Sequence, residues 1–372
     1  MLKNIYNFFK IDFHQNRVFG LDILRAIAII SVVYGHASLI LPGDPTSFYI
    51  ATVNFLDGVF VFFVLSGFLI GGMLIHTIEN KAATRSNFIL FWKQRLLRIL
   101  PAYYLVLIVL IVWNLIVTGG FGPSKQYFFF IQNFCTSHPY FFPEAWTLSI
   151  EFWFYLLIPL FVFVLKGYFK LSDKNSLLVP VIIFILFGFF MRLFRAYTFP
   201  ELDGYIRDDF FRKQVVTRID SIAFGVLGAY IHRYYKSVWS DYKYLFLVLG
   251  ILIFLVTKSA WFNVSTLNSY VLIYTFQALS LLLILPYFNS IKTGKGLFFT
   301  IMTGFSYISF SVYLLNLTLI QVNILGNINY GSITGLNLQI LKYFLYIVLS
   351  ILGGIILHKQ VEIPFMKMRK KL

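Results

Sequence analysis

Apolar residues fill this chain in long runs, separated by short polar intervals, with little of the in-and-out alternation of a soluble fold. Ten runs are long enough, or nearly so, to cross a bilayer core of about 30 Å. They predict helices over about 18–41, 49–75, 96–118, 145–165, 177–198, 215–232, 242–258, 265–289, 297–323 and 339–358, the sixth and seventh being the shortest. Pro101, near the start of the third, and Pro159, within the fourth, predict kinks that neighbouring helices can absorb. The longest connections are 76–95, 119–144 and 199–214; the second is aromatic and proline-rich and suits an interfacial or re-entrant segment. No internal repeat or low-complexity tract interrupts the pattern. The expected fold class is all-α integral membrane, a bundle of about ten transmembrane helices.

Composition agrees. The chain is 59% hydrophobic and only 12% charged, where a soluble domain carries about a quarter charged residues. A formal charge of +16 would suit nucleic acid in a soluble protein. In a membrane protein, Lys and Arg collect in cytoplasmic loops. With the N-terminus inside, about two-thirds of the 31 Lys and Arg fall in inside segments. Both termini are therefore expected in the cytoplasm, in the cell (inner) membrane, with the lipid bilayer as a partner and no nucleic acid. The outside loop 199–214 mixes acidic and basic residues, as a contact for an external polar substrate would. Cys135 is the only cysteine, so neither an intramolecular disulfide nor a cysteine metal cluster can form. The first apolar run has no small-residue cleavage site before it and reads as a retained helix.

Polar residues stand out against this background. The stretch LDILRAIAIISVVYGHA (21–37) carries Asp22, Arg25 and His36. Eleven residues at about 100° each are three turns plus about 20°, so Arg25 and His36 share a face about 16 Å apart, with Asp22 within about 60° of Arg25. A charge deep in a bilayer costs about 2.5–3.5 kcal/mol and usually marks function. The plainer alternative is that Arg25 snorkels and His36 satisfies a core hydrogen bond. Further along, Arg95 and Arg98 lie three apart at the entrance to the third helix, Glu151 lies in the outer half of the fourth, Arg218 and Asp220 open the sixth, and Asn316 lies in the outer third of the ninth. The expected topology sorts these by depth. Arg25, Arg95 and Arg98 lie toward the cytoplasm and suit phosphate oxygens; His36, Glu151, Arg218, Asp220 and Asn316 lie toward the outside and suit acid–base chemistry or acceptor binding. Each has a plainer reading: membrane anchors for Arg95 and Arg98, a structural pairing with an arginine for Glu151, pairing with one another or with loop charges for Arg218 and Asp220, and helix glue for Asn316.

Seven segments, in order, carry a family resemblance: LDILRAIAIISVVYGH, GVFVFFVLSGFLI, RLLRILPAYY, AWTLSIEFWFYLLIP, RIDSIAFGVLGAY, FSYISFSVYLLNLTLI and VEIPF. Together they resemble the membrane-bound acyltransferase family 3, the O-acetyltransferases of bacterial cell-surface carbohydrates. The resemblance implies acyl-CoA, usually acetyl-CoA, as a donor from the cytoplasm, and a carbohydrate hydroxyl outside as acceptor, with no metal. It also implies His36 as the catalytic residue and Arg25, Arg95 and Arg98 as donor-binding residues, while Glu151 would support the imidazole. Two positions depart from the family pattern. Asn316 stands where many members carry a histidine, and Phe60 where an aspartate is frequent. Some members continue into an extracellular esterase-like domain; here a single transmembrane domain over 1–372 is expected, with no appended soluble domain. The competing function, a transporter or flippase of polar lipids or glycans, fits buried charges in a bundle, but paired broken helices and repeated halves are not evident.

Overall fold

The computed structural model describes residues 17–40, 57–81, 84–122, 125–199, 204–259 and 267–370. Among these residues each of the ten expected spans is helical: α1 (Phe19–Ala37), α2 (Gly58–Asn80), α3 (Arg85–Thr118), α4 (Ala145–Gly167), α5 (Asp173–Thr198), α6 (Val215–Tyr234), α7 (Lys243–Thr257), α8 (Leu267–Ser290), α9 (Gly296–Leu325) and α10 (Gly335–Leu357). A terminal helix α11 (Ile363–Lys370) follows. Residues 49–56 and 265–266 of the expected spans, and 200–203 of the 199–214 loop, lie outside the described residues.

Eight of these helices are long and apolar enough to cross a membrane, and the two exceptions have physical reasons. Helix α6 carries Arg218, Asp220, His232 and Arg233; every residue from Val215 to Val226 is buried, so Arg218 and Asp220 meet protein and not lipid, while His232 and Arg233 lie exposed at its last turn. Helix α7 has 15 residues, about 22 Å at 1.5 Å each; Leu245, Val248, Leu252 and Val256 form an exposed apolar stripe along it. Helix α3 is longer than expected, beginning at Arg85 and not near 96; Thr84 caps it by accepting from Asn87 N. Its first turns carry Arg85, Lys93 and Arg95, and its apolar run begins only after Arg98.

The chain forms two compact units. One contains α1, residues 98–110 of α3 and the chain from Phe288 to Lys371. In it, the first amides of α1 are satisfied by the α8–α9 connection, Phe19 N donating to Lys292 O (3.2 Å) and Gly20 N to Ile291 O (2.9 Å). Helix α9 changes pitch: it is α-helical to Leu315 and π-helical over Asn316–Leu325.

The other unit contains residues 59–97 and 111–287, with α6 at its centre. Helices α2 and α6 touch backbone to backbone. A Cβ at Gly67 would lie 1.9 Å from Ile222 O, and one at Gly225 would lie 2.1 Å from Val64 O. At the N-terminal end of α6 the 119–144 connection is a folded cap: Val215 N donates to Asn133 O (3.0 Å), Val216 N to Phe134 O (3.3 Å), and Arg195 Nη2 to Cys135 O (2.8 Å). Among the described acidic residues of the 199–214 loop, Asp208 is paired with Arg212 (2.9 Å) and Lys213, and Asp209 with Lys213 (3.4 Å). Asp208 is held below the usual carboxylate range: burial opposes ionisation, and the Arg212 and Lys213 charges outweigh it.

His138 is buried in this cap, and neither ring nitrogen is hydrogen-bonded among the described residues. Burial, helped by the Lys213 charge and opposed by Asp209 and Asp208, pushes its imidazole down to about 4. Below the ordinary histidine value of about 6.5 the unfolded chain takes a proton that the folded cap refuses, so stability falls as pH drops from about 6.5 to about 4. Thermal melts of solubilised protein across that window should show the fall, and His138→Gln should flatten it. Topology has its own test: Cys135 is exposed in the cap, so an impermeant thiol reagent should label wild-type protein on intact cells. A cysteine placed at Ser237 in a Cys135→Ser background should stay unlabelled until the cells are opened.

Candidate active site

Helix α9 runs along the polar face of α1, and the two polar ends of α1 each find a partner on it. At one end is Asp22, which is buried. Ser306 Oγ donates to Asp22 Oδ1 (2.7 Å), Arg17 Nε donates to the carboxylate (3.0 Å), and Arg25 Nη1 lies 3.6 Å from Oδ1 and 3.3 Å from Ser306 Oγ. The Arg17 guanidinium also covers the Tyr307 ring at 4.2 Å. Two arginines thus share one carboxylate, leaving a net positive site at this end of α1.

At the other end, His36 Nδ1 lies 2.6 Å from Asn316 Oδ1. The Asn316 amide orientation follows from its other bonds: Nδ2 donates to Val312 O and Tyr313 O, both at 2.9 Å. Oδ1 can only accept, so His36 Nδ1 carries a proton, which in a neutral imidazole sets the Nδ1–H tautomer. The Tyr346 hydroxyl lies 3.1 Å from Asn316 Oδ1 and 3.2 Å from Val33 O, holding the amide from α10. Gln321 Nε2 donates to His36 O (3.0 Å). On an α-helix, Asn316 and Gln321, five apart, would diverge by about 140°. The i→i+5 geometry of the π segment brings both back toward α1.

In the same unit, the VEIPF segment supplies Glu362, which accepts from Ser311 Oγ and lies 2.9 Å from His358 Nδ1, fastening the chain's last turns to α9. Arg98, half-buried, also belongs to this unit.

The second unit contains Arg95, Glu151, Arg218 and Asp220. Arg95 is only 4% exposed, with its guanidinium 5.8 Å from the Tyr155 ring centroid, a placement unlike that of a solvated anchor. Glu151 accepts from Ser66 Oγ (2.8 Å), so Ser66 is tied up as a donor. Asp220 pairs with Arg192 (2.7 Å), both side chains at 0% exposure, and Arg192 also bonds Val271 O (3.2 Å) and Thr275 Oγ1 (2.8 Å). Arg218 sits between Phe60 (4.1 Å) and Tyr274 (4.5 Å), two nearly parallel rings. Where the family pattern would set an aspartate, this chain sets an aromatic face against the arginine.

Sequence reasoning missed Arg17, Gln321, Tyr346 and Arg192. The pairing expected between Arg218 and Asp220 is replaced around Asp220 by Arg192. Arg192 lies inside α5, within the expected span 177–198, with no solvent exposure. Its signal was an arginine six residues before the end of an apolar helix; Tyr346 and Gln321 carried none, being ordinary polar residues within apolar runs.

The profile of a family described as an acyltransferase domain matches residues 18–359. The chain belongs to that acyltransferase family. It is 31% identical over 169 residues to the YrhL protein of Bacillus subtilis (41% of this chain, 24% of the relative). It is 30% identical over 161 residues to the peptidoglycan O-acetyltransferase OatA of Listeria monocytogenes (39% and 24%). With the O-acetyltransferase OatA of Staphylococcus aureus the identity is 29% over 170 residues (41% and 26%). The matched region spans about a quarter of these relatives' length. No solved structure matches the chain. These matches give no support to a transporter or flippase.

Removing the Asn316 acceptor should leave the His36 ring free to turn and change tautomer. Asn316→Ala should lower kcat by about tenfold or more while leaving the donor KM near wild type, and Asn316→Gln should restore part of it; steady-state kinetics on the purified family member checks both.

Proposed function

We propose that this family member is an integral membrane O-acyltransferase moving an acetyl or other short acyl group from coenzyme A to a hydroxyl of a cell-surface carbohydrate or its lipid-linked precursor. The donor comes from the cytoplasm, where both termini lie, and the enzyme resides in the cell membrane. The names of the Listeria and Staphylococcus relatives point to peptidoglycan as the first acceptor to try. The observation that carries the reading is the His36–Asn316 hydrogen bond, which fixes the imidazole of a membrane helix through Nδ1 in a chain of an acyltransferase family.

In the reaction, His36 Nε2 removes the proton of the acceptor hydroxyl. The oxygen attacks the thioester carbonyl carbon, forming the new C–O bond. The C–S bond breaks, and the imidazolium returns its proton to the departing CoA thiolate, so no net proton is consumed. Asn316 positions the ring. Arg25, on the same face of α1 about 16 Å toward the cytoplasm, meets the donor's phosphates, and a pantetheine arm is long and thin enough to cover that distance. Its neighbour Arg17 offsets the Asp22 charge, which suits an anionic ligand. Arg95 and Arg98 are assigned to the donor as well, and Glu151 to the acid–base chemistry on the outer side. Asp220 and Arg218, proposed for the acceptor, are fully buried and also hold the start of α6 in place.

Mass spectrometry of surface glycans from cells with and without the gene should reveal a mass shift that names the acyl group. His36→Ala, expressed and inserted normally, should abolish that shift. Arg25→Lys keeps the charge but loses the guanidinium fork and should raise the KM for acyl-CoA more than that for the acceptor. Near-normal glycan acylation by His36→Ala would overturn the mechanism.

A further inference from the structure

In the second unit α2 meets α6 closely at Gly67 and Gly71, while Gly72, about 100° further round α2, faces open space. A Cβ at Gly71 would lie 2.8 Å from Ala229 Cβ, whereas one at Gly72 would meet nothing within 4 Å. Beyond that point a cavity of about 880 Å³ opens between the ends of the two helices, within the roughly 300–1,000 Å³ of cofactor-sized sites. It lies at the opposite end of α6 from the 119–144 cap, since Val215 is bonded to the cap and Arg233 is eighteen residues on. By the charge distribution this is the cytoplasmic end.

The lining has two halves. Phe68 and Met73 give an apolar floor; Lys81, Arg233, His76 and His232 give a basic, hydrogen-bonding rim. The acid among the lining residues, Glu79, is held by Arg233 through two bonds, Nε–Oε1 at 3.1 Å and Nη2–Oε2 at 2.7 Å. The Arg233 side chain is 50% exposed, so this pair is weak and open to competition. A guanidinium fork that fits a carboxylate fits a phosphate equally well. Gln94 also lines the cavity, immediately before Arg95 on α3.

We propose that this cavity binds the nucleotide end of the acyl donor. Its phosphates are taken by Lys81 and by Arg233, which exchanges Glu79 for phosphate, and the base rests on the apolar floor. The proposal rests on the acyl-CoA reading above and adds residues that the arginines of α1 and α3 do not include.

The test is calorimetric titration of the full chain, in nanodiscs of zwitterionic lipid, with coenzyme A and with pantetheine. Coenzyme A should bind wild type; Arg233→Gln should weaken it about tenfold or more, and Glu79→Gln, removing the competing carboxylate, should tighten it. A purely structural ion pair would make the two variants behave alike. Gly72→Trp, which projects into open space, should abolish coenzyme A binding with an unchanged melting temperature; should it melt early, the opposite signs at 233 and 79 still decide. Pantetheine, lacking the nucleotide, should be indifferent to the substitutions at 79 and 233. If wild type binds coenzyme A and the variants match it within twofold, the cavity assignment is wrong and the donor reading stands. If wild type binds no coenzyme A, the donor reading itself falls. Variants that change binding of phosphatidylglycerol vesicles but not of coenzyme A would make this a lipid-headgroup site and overturn the proposal.

Discussion

Inside a bilayer, water is not available to satisfy a polar side chain, so each one must be met by another part of the chain. The pairing of α1 with α9 follows from that requirement. Asp22 and Arg25 need Ser306, and His36 needs Asn316. Ser306 and Asn316 are ten residues apart, about 15 Å on a helix, which matches the separation of Arg25 from His36. Two parallel helices can therefore satisfy both ends at once, and a register shift would orphan both. The orientation of the His36 ring depends on the same constraint, since its Nδ1 is held by Asn316.

The second unit meets the requirement by a different route. Helix α6 takes two fully buried arginines' worth of contacts at its start, Arg192 through a carboxylate, carbonyls and a hydroxyl, and Arg218 through flat aromatic faces. Removing one partner of a buried pair typically costs about 3–5 kcal/mol because the other charge is left unmatched. Glycines at 67 and 225 let α2 and α6 touch below that level.

Function follows from polarity arranged by depth. An arginine–aspartate cluster and His36 occupy opposite ends of one helix face, and a basic cavity opens at the end of the other unit away from the cap. The proposed two-sided transfer uses this arrangement, with anion recognition assigned to one side and proton transfer to the other.

Much of this was legible in the residues. Apolar runs marked all ten helices, eight of them long and apolar enough to cross a membrane, because length and hydropathy are local properties of the chain. The eleven-residue spacing placed Arg25 and His36 on one face, because 3.6-residue periodicity is a local property. The tertiary structure decided which residues answer them. That Asn316 orients His36, that Arg192 and not Arg218 takes Asp220, and that Tyr346 holds the amide depend on contacts between segments distant in sequence. The π geometry that turns Asn316 and Gln321 toward one neighbour breaks the periodicity on which sequence reading relies. The start of α3 at Arg85 was hidden for a related reason: its first turns are polar, and hydropathy marks where a helix enters lipid, not where it begins.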